Sequence, residues 1–118
     1  GIALSLFIDP RPAQLDAARE LGADFVELNT AAYSEAKTPA QRRRELEALR
    51  EAALRAHALG LGVHAGHGLT YLNVEPVAAL PHLEELNIGH SIVAHAVFAG
   101  FERAVREMAE LIERAGRV

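Results

Sequence analysis

Two histidines of this sequence stand in glycine turns, Gly66-His67-Gly68 and Gly89-His90. Histidine is the side chain whose ordinary titration falls near neutrality, so His67 and His90 can move protons without unusual tuning. Glycine lets the backbone approach an anion closely, and a helix starting just after His90 points its positive end at the same place. Backbone N–H groups so arranged are a phosphate-binding device. The plain alternative is that the glycines only make tight turns. Glu27 sits among apolar neighbours in Phe25-Val26-Glu27-Leu28. There it can stabilise positive charge developing on a substrate, or serve as a structural carboxylate bonded to adjoining strands.

Other chemistries find less support. The chain has no cysteine, which excludes disulfides, thiolate metal sites and thiol nucleophiles. His64, His67 and His90 invite a zinc reading. However, His64 and His67 lie on a strand-to-loop segment where the rings need not converge, and no carboxylate stands at a ligand spacing, so no metal is expected. Ser5, Ser34 and Ser91 lack a nucleophile-elbow motif. The one lysine, Lys37, lies in a polar loop, the wrong place for the Schiff-base lysine of a phosphosugar aldolase. His57, His82 and His95 are unremarkable by position. The net charge is −4, so the overall field does not draw nucleic acid. Arg42-Arg43-Arg44 is followed at once by Glu45, Glu47 and Glu51, the pattern of a solvated helix face. No apolar run approaches the roughly 20 residues that span a bilayer, and no signal peptide is visible, so the expectation is a cytoplasmic protein without membrane contact. Gly1 is not an initiator methionine, and strand-like sequence follows it directly, which suggests a chain cut from something longer.

The elements that must position these groups alternate. Ala3 to Ile8 reads as a strand, ended by Asp9-Pro10. Pro12 to Leu21 has helical spacing and is stopped by Gly22. Asp24 to Asn29 is a second strand, followed by a polar loop. Thr38 caps a long helix from about Pro39 to Leu59, with Pro39 at its first position and Gln41 completing a capping box. Gly60 stops it. Leu61 to Ala65 is the third strand, Val74 to Leu80 a short helix, and Glu84 to Ile88 the fourth strand. Ser91 to Phe98 reads as a short helix, Gly100 breaks it, and Phe101 to Ala115 is a strongly amphipathic final helix. Four units in 118 residues is about thirty residues each, the size of a βαβ step.

The strand faces distinguish a barrel from an open sheet. Leu4, Leu6 and Ile8, then Val26 and Leu28, Leu61, Val63 and Ala65, and Leu86 and Ile88 form an aliphatic face. The opposite face carries Ser5, Phe7 and Asp9, Phe25, Glu27 and Asn29, His64 and Gly66, and Glu85, Asn87 and Gly89. Charges and amides do not sit under a second helix layer without partners, but the upper interior of a barrel accommodates them. A two-layer sheet with one wet face is the simpler alternative. A complete barrel needs eight strands and about 250 residues. The expected fold class is therefore α/β, a (β/α)8 TIM-type half-barrel in one domain, residues 1–118. It would pair with a second copy, as a homo-oligomer, or with a missing N-terminal half-barrel.

Several strings in these strands resemble one family. Ser5-Leu6-Phe7-Ile8-Asp9, Phe25-Val26-Glu27-Leu28, Ala65-Gly66-His67-Gly68-Leu69-Thr70-Tyr71 and Glu85-Leu86-Asn87-Ile88-Gly89-His90 are similar, in order, to strand signatures in the C-terminal half of the pyridoxine 5'-phosphate synthase family. The resemblance implies condensation of 1-deoxy-D-xylulose 5-phosphate with 3-amino-2-oxopropyl phosphate, closing the pyridine ring of vitamin B6 and releasing inorganic phosphate and water. It implies no metal or organic cofactor, and a site completed by a neighbouring subunit. By motif, His67 matches the family's proton donor and Glu27 its charge-stabilising glutamate. Gly68, Gly89 and His90 match positions that bind substrate or product phosphate. The family's other acid–base residues, a histidine and a glutamate, belong to its N-terminal half, so this chain alone should bind phosphate without completing ring closure. The family usually has histidine at Asn29 and asparagine at His64, which suggests a compensating exchange across one contact. It also tends to have histidine at Leu72 and arginine at His95. A non-catalytic self-associating scaffold and another phosphosugar barrel enzyme are the competing readings.

Overall fold

Apolar alternation and well-placed glycines become a repeated strand–helix series. The computed structural model describes residues 1–116; Arg117 and Val118, the last of the expected domain, lie outside the described residues. The described residues form strands β1 (Ser5–Ile8), β2 (Phe25–Asn29), β3 (Gly62–Gly66) and β4 (Leu83–Asn87). The helices are α1 (Pro12–Glu20), α2 (Ala31–Ser34), α3 (Pro39–Ala58), α4 (Val74–Ala78), α5 (His90–Ala99) and α6 (Phe101–Gly116).

Local chemistry explains the boundaries. Helices α1 and α3 each begin with a proline, whose missing N–H costs nothing in a first turn. Beyond each helix stands a glycine at φ +79°, Gly22 and Gly60, in the left-handed conformation that ends helices. The Thr38 hydroxyl accepts the Gln41 N–H at 3.1 Å, but the Gln41 side chain accepts from the Lys37 N–H at 3.0 Å. The expected capping box is thus half formed, its return bond reaching one residue further back. The expected polar loop after β2 contains α2, a single turn begun by the Ser34 N–H bonding to Thr30 O at 2.9 Å. Four residues are too few to display helical periodicity. Arg42, Arg43 and Arg44 are exposed, as a solvated face requires.

All strands are parallel, in the order β1-β2-β3-β4. Right-handed crossovers between consecutive neighbours put every helix on the same side of the sheet. A doubly wound sheet instead reverses strand order and is covered on both faces. The chain is accordingly an α/β half-barrel of the (β/α)8 type, as the strand faces indicate.

Burial follows those faces. Val26, Leu28, Val63 and Ala65 are buried against Leu15, Leu49, Ala53 and Met108 on the helix side. Each fully buried leucine or valine contributes about 1.5–3 kcal/mol. On the inner side Phe7 is 56% exposed, and Glu27, Asn29 and His64 are half-buried. Leu4, expected on the aliphatic face, precedes β1 and is exposed, because an edge strand has a neighbour on one side only.

Strand β4 holds an irregularity that the alternation did not reveal. Val63 pairs with Leu83 but His64 pairs with Glu85, so the register slips by one at Glu84. Such a bulge changes which side of the pleat a residue takes. It lets Leu83 join the helix-side core while Glu85 and Asn87 keep the inner face. No helix among the described residues is long and apolar enough to cross a membrane.

Candidate active site

The inner face of the sheet is shaped by two glycines in β3. A Cβ on Gly62 would lie 2.3 Å from the Phe25 ring, and one on Gly66 would lie 2.8 Å from the Asn87 carbonyl oxygen and 3.3 Å from Glu27 Oε1. Side chains of β2 can therefore lean across β3. Phe25 stacks on His64 with ring centres 4.8 Å apart. One layer higher, the Asn87 side-chain amide donates to Glu27 Oε1. That bond crosses β3 above Gly66 and fixes the direction of the carboxylate.

Above this layer the chain ends of β3 and β4 form a cavity of about 640 Å³. All of the residues singled out for chemistry line it: Glu27, His67, Gly68, Gly89 and His90. Phe7, Asn87 and Ser91 contribute to the same wall. Glu27 of β2, His67 of the loop after β3 and His90 at the start of α5 thus border one space.

The loop after β3 is held in an unusual conformation. His67 has φ +91° and Gly68 φ +77°; a positive φ at a non-glycine residue costs on the order of 1–3 kcal/mol and persists only where surroundings enforce it. Here the Thr30 hydroxyl donates to His67 O at 2.5 Å and the Thr30 N–H donates to Gly66 O at 2.9 Å. A Cβ on Gly68 would lie 2.8 Å from Ser34 Cβ, so this position needs glycine for both space and conformation. Asn73 closes the loop, accepting the Thr70 N–H at 2.7 Å and donating to Gly68 O at 3.2 Å. Tyr33 donates its hydroxyl to Asn73 O at 2.7 Å. Burial raises the Tyr33 phenol above its ordinary value, partly opposed by Arg42, which keeps the proton on the donor.

The loop after β4 leads straight into α5, with Gly89 before its first turn and His90 as its first residue. The first N–H groups of a helix lack intrahelical partners and carry partial positive charge. Since Gly89, His90 and Ser91 line the cavity, this end of α5 opens onto it. The Ser91 hydroxyl donates to Leu69 O at 2.7 Å, tying the two loops together.

A family model described as "Pyridoxal phosphate biosynthesis protein PdxJ" matches residues 1–114. The chain belongs to the PdxJ family. It is 57% identical over 113 residues to the pyridoxine 5'-phosphate synthase of Cyanothece sp., covering 96% of this chain and 47% of that protein. Identity to the synthase of the same name from Synechococcus sp. is 59% over 108 residues, covering 92% of this chain and 45% of the relative. For the Magnetococcus marinus synthase it is 56% over 115 residues, covering 98% and 47%. The chain spans about half the length of the curated relatives it matches.

Away from the cavity, this PdxJ-family chain departs from one expectation. Asn29 and His64, expected to meet across one contact, have different partners. Asn29 donates to Asp9 Oδ1 at 3.2 Å and accepts the Ala31 N–H at 3.0 Å, whereas His64 lies on Phe25. Among the described residues no hydrogen bond joins the two, because their register places Asn29 opposite Gly66 and His64 opposite Glu27. His57 and His82 stack at 3.6 Å, joining the end of α3 to the turn before β4. His95 bonds Glu107 at 2.7 Å and meets Tyr71 edge-on at 4.8 Å. Arg103 also bonds Glu107, at 2.6 Å. The Arg103 hydrogen bond, and after it that of His95, holds the Glu107 carboxyl below the usual range. Tyr71 donates to Ala104 O at 2.7 Å, so this cluster anchors the β3 loop and α5 to α6. Leu72 is exposed. No group of three or more histidines and carboxylates among the described residues is arranged to hold a metal ion.

Asn87, Thr30, Asn73 and Ser91 were not singled out from sequence for these contacts. Asn87 was legible in part, since alternation puts it on the inner face with Glu85. The partners of Thr30 and Ser91 lie 37 and 22 residues away in the chain, and the bond from Asn73 to Gly68, five residues back, is set by loop conformation, so periodicity carries no sign of them.

Proposed function

We propose that this chain is the C-terminal, phosphate-binding half of a pyridoxine 5'-phosphate synthase, with residues 1–118 as one domain. The complete barrel condenses 1-deoxy-D-xylulose 5-phosphate with 3-amino-2-oxopropyl phosphate, by imine formation and successive proton transfers, and releases inorganic phosphate and water. His67 is the proton donor. Its imidazolium gives up the proton and is restored from solvent. Glu27 stabilises positive charge on the nitrogen-bearing intermediate, and Asn87 holds its carboxylate toward the cavity. Gly68, Gly89 and His90 bind phosphate through backbone N–H groups and the start of α5.

One observation carries the reading: Glu27, His67 and His90, from three different parts of the chain, line a single cavity at the carboxyl ends of neighbouring strands. Such strand ends are where barrels of this type keep their active sites. The residues need no metal or organic cofactor for these steps. The remaining acid–base groups come from the N-terminal half. The complete protein works in the cytoplasm on small phosphorylated substrates, as a homo-oligomer that closes the exposed sheet edges.

Product formation by the chain alone, and after addition of the N-terminal half of a curated relative, tests the reading. The expected outcome is no product from the chain alone and pyridoxine 5'-phosphate from the completed barrel. A folded, completed barrel that yields no product would sink it.

A further inference from the structure

Three successive carbonyls of the loop after β3 are each tied back by a side-chain donor. His67 O accepts Thr30 Oγ1 at 2.5 Å, Gly68 O accepts Asn73 Nδ2 at 3.2 Å, and Leu69 O accepts Ser91 Oγ at 2.7 Å. All peptides among the described residues are trans, so each amide N–H points opposite to the carbonyl of its own peptide unit. The Gly68 N–H therefore turns away from Thr30, and the Leu69 N–H turns away from Asn73. Neither N–H donates to another group among the described residues. Gly68 and Leu69 line the cavity, whereas Thr30 and Asn73 do not.

Thr30 is suited to this task by its burial. It is 0% exposed, a buried polar side chain amid the apolar core, and both its N–H and its hydroxyl grip the end of β3, at Gly66 O and His67 O. Beside that grip only the longer Ser34 Oγ donor, at 3.4 Å, reaches His67 O among the described residues, and the left-handed preference of His67 itself would not hold the 67–68 peptide in its present orientation. Asn73 is fixed in turn by Tyr33 and by its own bond from the Thr70 N–H.

We propose that Thr30 and Asn73 are positioning residues for the anion site: they orient two consecutive peptides so that the Gly68 and Leu69 N–H groups donate to the same phosphate. This rests on the phosphate-binding reading of the cavity. It extends that reading by adding the Leu69 amide as a second donor and by naming the side chains that aim both.

The test is a titration of the 15N-labelled chain with inorganic phosphate, following each backbone amide. The unaltered chain should bind phosphate with the Gly68 and Leu69 amide signals both moving downfield. Thr30→Val keeps the shape and removes the donor; it should weaken binding about tenfold, as loss of one hydrogen bond to a charged group does, and abolish the Gly68 shift. Thr30→Ser should restore both. Asn73→Asp keeps the acceptor for Thr70 but loses the donor to Gly68, so it should abolish the Leu69 shift; it serves as the decisive variant if Thr30→Val does not fold. Phosphate binding in which neither amide moves overturns the inference and leaves the phosphate reading standing. So does a folded Thr30→Val or Asn73→Asp chain that binds as the parent does with the same amide shifts. No phosphate binding by the unaltered, folded chain overturns the phosphate reading and this inference with it.

Discussion

Replacing Gly66 with alanine tests how the inner face is built. The added methyl would stand 2.8 Å from a backbone oxygen of Asn87 and 3.2 Å from its Cβ. Reaching ordinary contact at 3.4 Å requires β4 to retreat by about 0.6 Å. The Asn87–Glu27 hydrogen bond spans that gap, so the retreat lengthens it without breaking it. Overpacking of this kind costs about 1–3 kcal/mol. Alanine returns about 0.4–1 kcal/mol by restricting the unfolded chain, since Gly66 does not need a positive φ. The net expectation is a loss of roughly 0.5–2.5 kcal/mol, or about 2–10 °C in melting temperature for a chain this size. Circular dichroism melts measure it, with Gly89→Ala as the comparison because a Cβ there meets nothing within 4 Å. A Gly66→Ala chain melting within about 1 °C of the parent, with the Asn87 side-chain amide resonance unmoved, would show that the two strands do not pack as described.

Three further changes probe other links. Leu15→Ala empties a fully buried position of the core and should cost about 2–5 kcal/mol in urea unfolding; a loss under about 1 kcal/mol would contradict the packing of α1 on the sheet. Thr38→Ala removes the cap of α3 and should cost about 1 kcal/mol by the same assay, while Thr38→Ser should cost little. Glu107 has its carboxyl depressed chiefly by Arg103 and then by His95. Its contribution to stability is therefore present above the unfolded carboxyl value of about 4.3 and lost as pH falls through the lower folded value. Urea midpoints of the parent should decline over that acid range more steeply than those of Glu107→Gln; parallel slopes would refute the linkage.

The sequence disclosed most where side chains repeat with a physical period. Alternation assigned Val26, Leu28, Val63 and Ala65 to the helix side and Glu27 and Asn87 to the inner side, and the register agrees. Proline starts and glycine stops located α1 and α3 to within a residue at either end. Features that depend on a distant partner were not legible. The slip at Glu84 exists only relative to β3. The left-handed His67 depends on a hydroxyl from Thr30, 37 residues earlier. Among the described residues no hydrogen bond joins Asn29 and His64, because register sets them diagonally and each has a nearer partner, Asp9 and Phe25. The site strings were recognisable because glycine turns and inward polar residues fall together at strand ends. Their convergence on one cavity is a property of the parallel order of the strands.

The central claim is that His67 donates a proton across the cavity it shares with Glu27 and His90. Turnover of the completed barrel carrying His67→Ala tests this most directly, with folding checked by circular dichroism. The account predicts a fall of at least about 100-fold, the scale of general acid catalysis, with inorganic phosphate still bound. Unchanged turnover in the folded variant would contradict it.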